Sequence, residues 1–201
     1  MNPGNILAVD PGATRAGWAV LGAYGGLPNY IASGVVHCAK RPDQKFQAYR
    51  MELIALWLDE SFDLIEEYKP NVLITETVPS RGPEIMDQMY LMNVQCTTLQ
   101  AVALTYGIKV VQVSARTVQA KLALRKKDVK VTKPQVRNGV LTHYPELTER
   151  LKPKGSQVFE ESDAIAIGLH YCGCYTDIVN DGRSKKDKPA NSANSSSPHP
   201  A

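Results

Sequence analysis

Ile6-Leu7-Ala8-Val9-Asp10-Pro11-Gly12-Ala13-Thr14-Arg15-Ala16-Gly17-Trp18-Ala19-Val20-Leu21 is the stretch on which the fold turns. The apolar run Ile6 to Val9 closes on Asp10-Pro11-Gly12, and Gly17 to Leu21, followed by Gly25-Gly26, reads as its hairpin partner. An acid at the carboxyl end of a first strand points to the place where open α/β sheets build their sites. Asp-Pro-Gly is also an ordinary turn, since each of these residues has a local conformational reason to sit in one. The small residues after Asp10 leave room for a metal or a phosphate beside the backbone, and two different classes of protein use such a turn.

Working outward, Ile31 to His37 supplies a third strand. From Pro42 to about Tyr68 the period becomes helical, with Phe46, Tyr49, Leu53, Leu56 and Trp57 at three- and four-residue spacing until Lys69-Pro70 ends it. Val72-Leu73-Ile74-Thr75-Glu76 reads as a buried strand with an acid at its carboxyl end. A helix from Glu84 to Tyr106 stops at Gly107, ahead of the strand Ile108 to Val113. Ser114 can cap a helix reaching toward Leu124, and Pro134 begins another that ends before Pro145. Phe159 to about Cys172 is the last helix, with Ala164, Ile167, Gly168 and Tyr171 able to pack on a sheet.

This alternation predicts one α/β domain over residues 1–177. After about Ile178 the chain turns to Asn, Ser, Pro and Lys, and residues 178–201 are expected to be a disordered tail. At 201 residues and 43% hydrophobic content the chain can bury one sizeable core. The N-terminus runs from Met1 into an apolar strand without a charged leader or a long hydrophobic segment, which predicts neither secretion nor membrane insertion. Cys38, Cys96, Cys172 and Cys174 form no C-x-x-C pair and no zinc-ligand spacing, so a reducing, cytoplasmic compartment fits best.

The net charge of +3 decides little, but its distribution is uneven. Lys109, Arg116, Lys121, Arg125, Lys126, Lys127, Lys130, Lys133 and Arg137 are opposed within their stretch only by Asp128. The preceding segment carries Glu52, Asp59, Glu60, Asp63, Glu66, Glu67 and Glu76. Such a basic run is either a solvated helix face or the footprint of a polyanionic partner.

The acids give the chemistry its outline. A carboxylate ending an apolar strand, as Glu76 does, is costly to bury unpaired, and a metal would remove that conflict. It could equally reach solvent or pair with Arg81. In Glu160-Glu161-Ser162-Asp163-Ala164-Ile165-Ala166, positions i and i+3 share a helix face, so Glu160 and Asp163 point together and Glu161 points elsewhere. Acids in a first helical turn also arise simply because they favour the macrodipole. Two Mg²⁺ ions roughly 3.5–4 Å apart, activating water and stabilising the leaving oxygen of a phosphodiester, need three or four convergent acids.

Ile6 to Gly12, Ile74-Thr75-Glu76 and Glu160 to Ala166 together resemble the RuvC family of Holliday junction resolvases, over roughly the first 175 residues. The resemblance implies an RNase H-like fold with a central mixed five-stranded sheet flanked by helices. It also implies a homodimer that binds four-way or other branched DNA and nicks it symmetrically with Mg²⁺, two ions per site, Mn²⁺ substituting. Asp10, Glu76, Glu160 and Asp163 match the family's four catalytic, metal-holding acids, with Glu160 standing where Asp or His is usual. Lys133, in Thr132-Lys133-Pro134, matches a cation at the scissile phosphate, where it would offset transition-state charge. A second family lysine falls on Gln119, with Lys121 or Arg116 near enough to substitute, and Pro79 stands where an aromatic wedge is common. Arg81, Arg116, Lys121, Arg125, Lys126, Lys127, Lys130, Lys133 and Arg137 are the candidate DNA contacts. For the dimer, the helix after Glu76 is the expected surface, with Met86, Met89 and Met92 either repacking against a partner or forming ordinary core.

Other readings use some of the same residues. Actin-like and sugar-kinase-like ATPases also open on Asp-x-Gly-x-Thr, as Asp10 to Thr14 does, but they need a second lobe for which this chain has no room; no nucleotide cofactor is expected. A related enzyme could cut a wider range of branches or RNA in a hybrid, and a non-catalytic DNA-binding relative could keep the acids for structure alone.

Overall fold

Asn5–Asp10 (β1) and Arg15–Gly22 (β2) pair antiparallel with Asp10 opposite Gly17, as the hairpin reading requires. Asn29–His37 (β3) continues the meander along β2, starting two residues earlier than its apolar pattern suggested. The chain then crosses the sheet: Pro70–Glu76 (β4) lies parallel beside β1, and Lys109–Val113 (β5) lies parallel beside β4. The order β3-β2-β1-β4-β5 makes a mixed five-stranded sheet. The structure, a computed structural model, describes residues 4–23, 27–78, 86–114, 117–118, 131–152 and 157–174. Pro79, Arg81, Arg116, Gln119, Lys121, Arg125, Lys126, Lys127, Lys130 and the expected tail 178–201 lie outside the described residues.

Side chains alternate across a strand, and here the alternation divides the core in two. Leu7, Val9 and Leu73 face α1 (Phe46–Tyr68) and α2 (Met86–Thr105). α1 begins at Phe46, later than its periodicity suggested, because Arg41 to Gln44 close a turn first. It buries Tyr49, Leu53, Trp57, Leu64 and Ile65, and fully burying each aliphatic or aromatic side chain is worth about 1.5–3 kcal/mol. Lys69, at φ 46°, ends it by returning its N–H to Ile65, and Pro70 cannot continue the helix. Beyond α2, Gly107 at φ 70° turns the chain into β5.

Ile6, Ala8 and Ile74 face the opposite way, toward α3 (Lys133–His143), the 3₁₀ turn Pro145–Leu147, and α4 (Gln157–Tyr171). α4 is buried along most of its length, with Ala164, Ile165, Ala166, Ile167 and Leu169 inaccessible to solvent. Asp10 continues the Ile6–Ala8 series and Glu76 continues from Ile74, so the alternation turns both acids toward the α4 side of the sheet. All four cysteines are free thiols. Among the described residues no helix is long and apolar enough to cross a membrane.

Candidate active site

Because β1 and β4 are parallel neighbours with Val9 opposite Thr75, Asp10 and Glu76 emerge side by side at the same edge of the sheet. Their carboxyl groups share a hydrogen bond. Burial, with the negative charges of Glu76 and Asp163 added, holds Asp10 well above the usual carboxylate range. Glu76 is also raised, chiefly by burial, and the bond from Asp10 partly relieves it. Two carboxylates this close resist ionising together, and a nearby cation would favour the charged form of both.

α4 brings the third acid to this edge. Gly17, opposite Asp10, lies directly beneath the first turn of the helix: a Cβ there would overlap the carbonyl of Glu160 and come within 3.1 Å of the Glu161 nitrogen. Only glycine lets the acid-bearing turn approach β2 so closely. Asp163 is pushed up to about 6 by burial, against the lowering influence of Lys133, and it is close enough to add to the rise at both Asp10 and Glu76.

Lys133 opens α3 and faces this turn. Its ammonium lies 3.3 Å from Asp163 Oδ2 and 3.6 Å from Glu160 Oε1. Burial alone would lower its affinity for a proton, but Asp163, Glu160 and Asp10 outweigh that and raise it. A capping box fixes the start of this helix: Gln135 Oε1 accepts from the Thr132 N–H at 2.9 Å and from its hydroxyl at 3.0 Å. Pro134 in the first turn loses nothing by lacking an N–H. Glu160 Oε2 is buried with no hydrogen-bond partner, an acceptor left unsatisfied in the site.

Asp10, Glu76, Asp163, Glu160 and Lys133 are therefore brought together from two strands and two helices. Arg137, one turn further along α3, bonds its own neighbour Asn138 at 3.0 Å. Among the described residues no three His, Cys, Asp or Glu side chains are spaced to hold a metal ion as they stand. As predicted, Glu161 points away from Glu160 and Asp163; it is buried against Ser33 and Arg150.

Sequence reasoning missed the supports behind the strand ends. Gln95 of α2 donates to the carbonyl of Gly12 at 2.9 Å, and Gln100 donates to Thr75 Oγ1 at 2.8 Å. The Tyr49 hydroxyl bonds the carbonyl of Ala13 at 3.2 Å. Two glutamines on the apolar face of a helix were the available signal, since a buried amide needs partners. Ser114 does cap the turn after β5, its hydroxyl accepting the Thr117 N–H at 3.1 Å.

The model of crossover junction endodeoxyribonuclease RuvC matches residues 6–171, from the second residue of β1 to the end of α4. The chain belongs to the RuvC family. Its activity is that of the family, endonucleolytic cleavage of DNA at crossover junctions by a metal-dependent nuclease. Among solved structures, RuvC of Thermus thermophilus, in a complex with Holliday junction substrate, is 20% identical, with 86% of this chain and 98% of that one covered at a TM-score of 0.61. The yeast mitochondrial Holliday junction resolvase Ydc2 is 13% identical, with 83% of this chain and 77% of that one covered at a TM-score of 0.58. At such identities the likeness shows the fold, which is RNase H-like. No curated protein matches this RuvC family chain by sequence.

Proposed function

We propose that Asp10, Glu76, Glu160 and Asp163 hold Mg²⁺, two ions per site with Mn²⁺ able to replace them, for hydrolysis of phosphodiesters in four-way or otherwise branched DNA. The observation that carries this reading is the convergence of acids from β1, β4 and α4 on one edge, with burial raising three of them. Carboxylates that burial and mutual repulsion force to keep protons are deprotonated readily by a hard cation, and an all-oxygen donor set suits Mg²⁺. The orphaned Glu160 Oε2 adds one more acceptor at the same place. Mg²⁺ bound there would supply Lewis-acid stabilisation of the phosphate and a more acidic water.

The chain's own residues do the remainder. Asp10 and Glu76 would give up the proton that burial favours on the pair. Lys133, held 3.3 Å from Asp163 and 3.6 Å from Glu160, would put a cation beside a phosphate bound at these acids and would offset charge that develops on its oxygens. Arg137 on the same helix, with Arg81, Arg116, Lys121, Arg125, Lys126, Lys127 and Lys130, supplies cations that neutralise neighbouring phosphates and set the register of the DNA.

Symmetric nicking of a four-way junction calls for two sites, and a homodimer about a two-fold axis supplies them. α2 is the surface that favours this. Its buried stripe is Leu91, Gln95, Leu99, Val102 and Ala103, which leaves Met86 exposed and Met89 and Met92 half-buried, so they are not ordinary core. Flexible thioether side chains are suited to repacking at such a contact.

The experiment is cleavage of a labelled synthetic four-way junction with Mg²⁺, beside a flap, an RNA–DNA hybrid, a linear duplex and the Asp10→Asn protein. Junction-selective nicking that disappears in Asp10→Asn is the expected result. Junction binding without cutting under Mg²⁺ or Mn²⁺ would overturn the catalytic assignment and favour a binding role.

A further inference from the structure

The acid-bearing turn of α4 has a second, outward-reaching anchor. Glu161 lies between the two proposed ligands Glu160 and Asp163, yet its side chain leaves the site and is buried, at 8% exposure, over the edge strand β3 on the same face of the sheet. There one oxygen, Oε1, accepts both the Ser33 hydroxyl at 2.5 Å and Arg150 Nε at 2.6 Å. Arg150 also donates through Nη2 to the Ser33 carbonyl, so arginine and serine hold each other as well as the glutamate. The Tyr30 hydroxyl stands 2.8 Å from Ser33 Oγ; with the serine proton given to Glu161, tyrosine is the donor. The Tyr30 ring packs on Tyr144, 5.9 Å between centroids, and Tyr144 donates to the carbonyl of Pro28 at 2.6 Å. A continuous chain of contacts thus runs from the edge strand β3 to the helix turn that carries the acids.

A glutamate is a costly choice for that position. A buried carboxylate needs charge-assisted partners, whereas a helix turn packed on a sheet needs only a small apolar side chain. The arrangement gives direction instead. Gly17 limits how far the turn can approach the sheet, and the contacts of Glu161 limit how it can rotate about the helix axis. Rotation about that axis moves Glu160 and Asp163 together relative to Asp10 and Glu76.

We propose that Glu161 is a positioning residue: held by Ser33 and Arg150, it sets the direction in which Glu160 and Asp163 face and so sets the affinity of the site for Mg²⁺. The proposal rests on the metal-nuclease reading given above. Groups that orient ligands without touching the metal change affinity by about 10–100-fold when removed. Glu161→Ala is therefore expected to weaken Mg²⁺ binding about 10-fold or more. Glu161→Gln keeps an acceptor for Ser33 and Arg150, and it is expected to recover most of that loss. Ser33→Ala, which deletes one donor, should fall between them.

The test is titration calorimetry with Mg²⁺ on the wild type, these three variants and Leu53→Ala, below the melting temperature of each. Leu53 is buried in α1 on the other face of the sheet, so its truncation lowers stability without touching the clamp. Weakened Mg²⁺ binding in Glu161→Ala, recovery in Glu161→Gln and wild-type affinity in Leu53→Ala support the proposal. Wild-type affinity in Glu161→Ala overturns it, as does equal weakening in Leu53→Ala, which would make affinity a matter of global stability. A wild type that binds no Mg²⁺ overturns the metal reading and the clamp with it, a result distinct from either of those.

Discussion

Replacing Gly17 by alanine adds one methyl group where β2 meets the acid-bearing turn. The new carbon would overlap the Glu160 carbonyl oxygen and carbon and sit 3.1 Å from the Glu161 nitrogen, all backbone atoms that cannot rotate aside. Restoring contact at about 3.4 Å requires α4 to move off the sheet by roughly 1 Å or more, and overpacking of this kind costs about 1–3 kcal/mol. Because the obstacle is backbone, the upper half of that range applies. For a domain of this size each kcal/mol lowers Tm by about 2–4 °C, so a loss of about 5–10 °C is expected. The same movement withdraws Glu160 and Asp163 from Asp10, and a misplacement of about 1 Å can cost roughly 10²-fold in rate. Thermal unfolding and junction cleavage, measured on the same preparation, check both parts. A wild-type Tm would refute the packing argument. A lowered Tm with wild-type cleavage per folded molecule would show that the spacing between β2 and α4 does not set the geometry of the acids.

Four further outcomes follow from the charges. Asp163 has its proton affinity raised from 3.8 to about 6, so between these values the folded protein holds more protons than the unfolded chain. The associated stability is complete below pH 3.8 and is lost as pH rises through about 6; without divalent metal, Tm should therefore fall across that window. Mg²⁺ at a fixed concentration, about 100 times its dissociation constant at pH 7, should add about 2.7 kcal/mol near pH 7 and much less near pH 5, and an equal gain at both would contradict the assignment of the ligands. Lys133→Ala should lower kcat by about 10²–10³-fold and move the pH at which Mg²⁺ binds upward, since the ammonium lowers Asp163; kinetics and calorimetry over pH would show both. Arg137→Ala should weaken junction binding evenly across sequences and reduce its logarithmic salt slope by about 1, read from fluorescence anisotropy at several salt concentrations.

The acids were legible because each sits at a boundary that local rules mark. Asp10 ends an apolar run at a Pro-Gly turn, Glu76 ends another, and Asp163 follows Glu160 at helical spacing. That β4 lies beside β1 rather than at an edge is a tertiary fact, and it makes Asp10 and Glu76 neighbours across 66 residues of chain. Lys133 was recognised through family resemblance, but its position against both Glu160 and Asp163 depends on how α3 packs on α4. Glu161 was correctly turned away from the site by helical geometry, which could not supply its destination: Ser33 lies 128 residues away. For Gln95 the period identified a buried face, while its partner, the Gly12 carbonyl, is 83 residues distant. The Met86, Met89 and Met92 series had two readings, because exposure depends on which face the sheet covers, and periodicity alone does not say.

The capping box at Thr132 and Gln135 closes on itself, with both bonds between residues three positions apart. Lys133 is thereby anchored from within its own helix. For protein engineering this makes the start of α3 a local device: Thr132, Lys133 and Gln135 form a short run that can be moved or exchanged together. An exchange that keeps the threonine–glutamine pair intact therefore keeps the backbone from which the lysine projects.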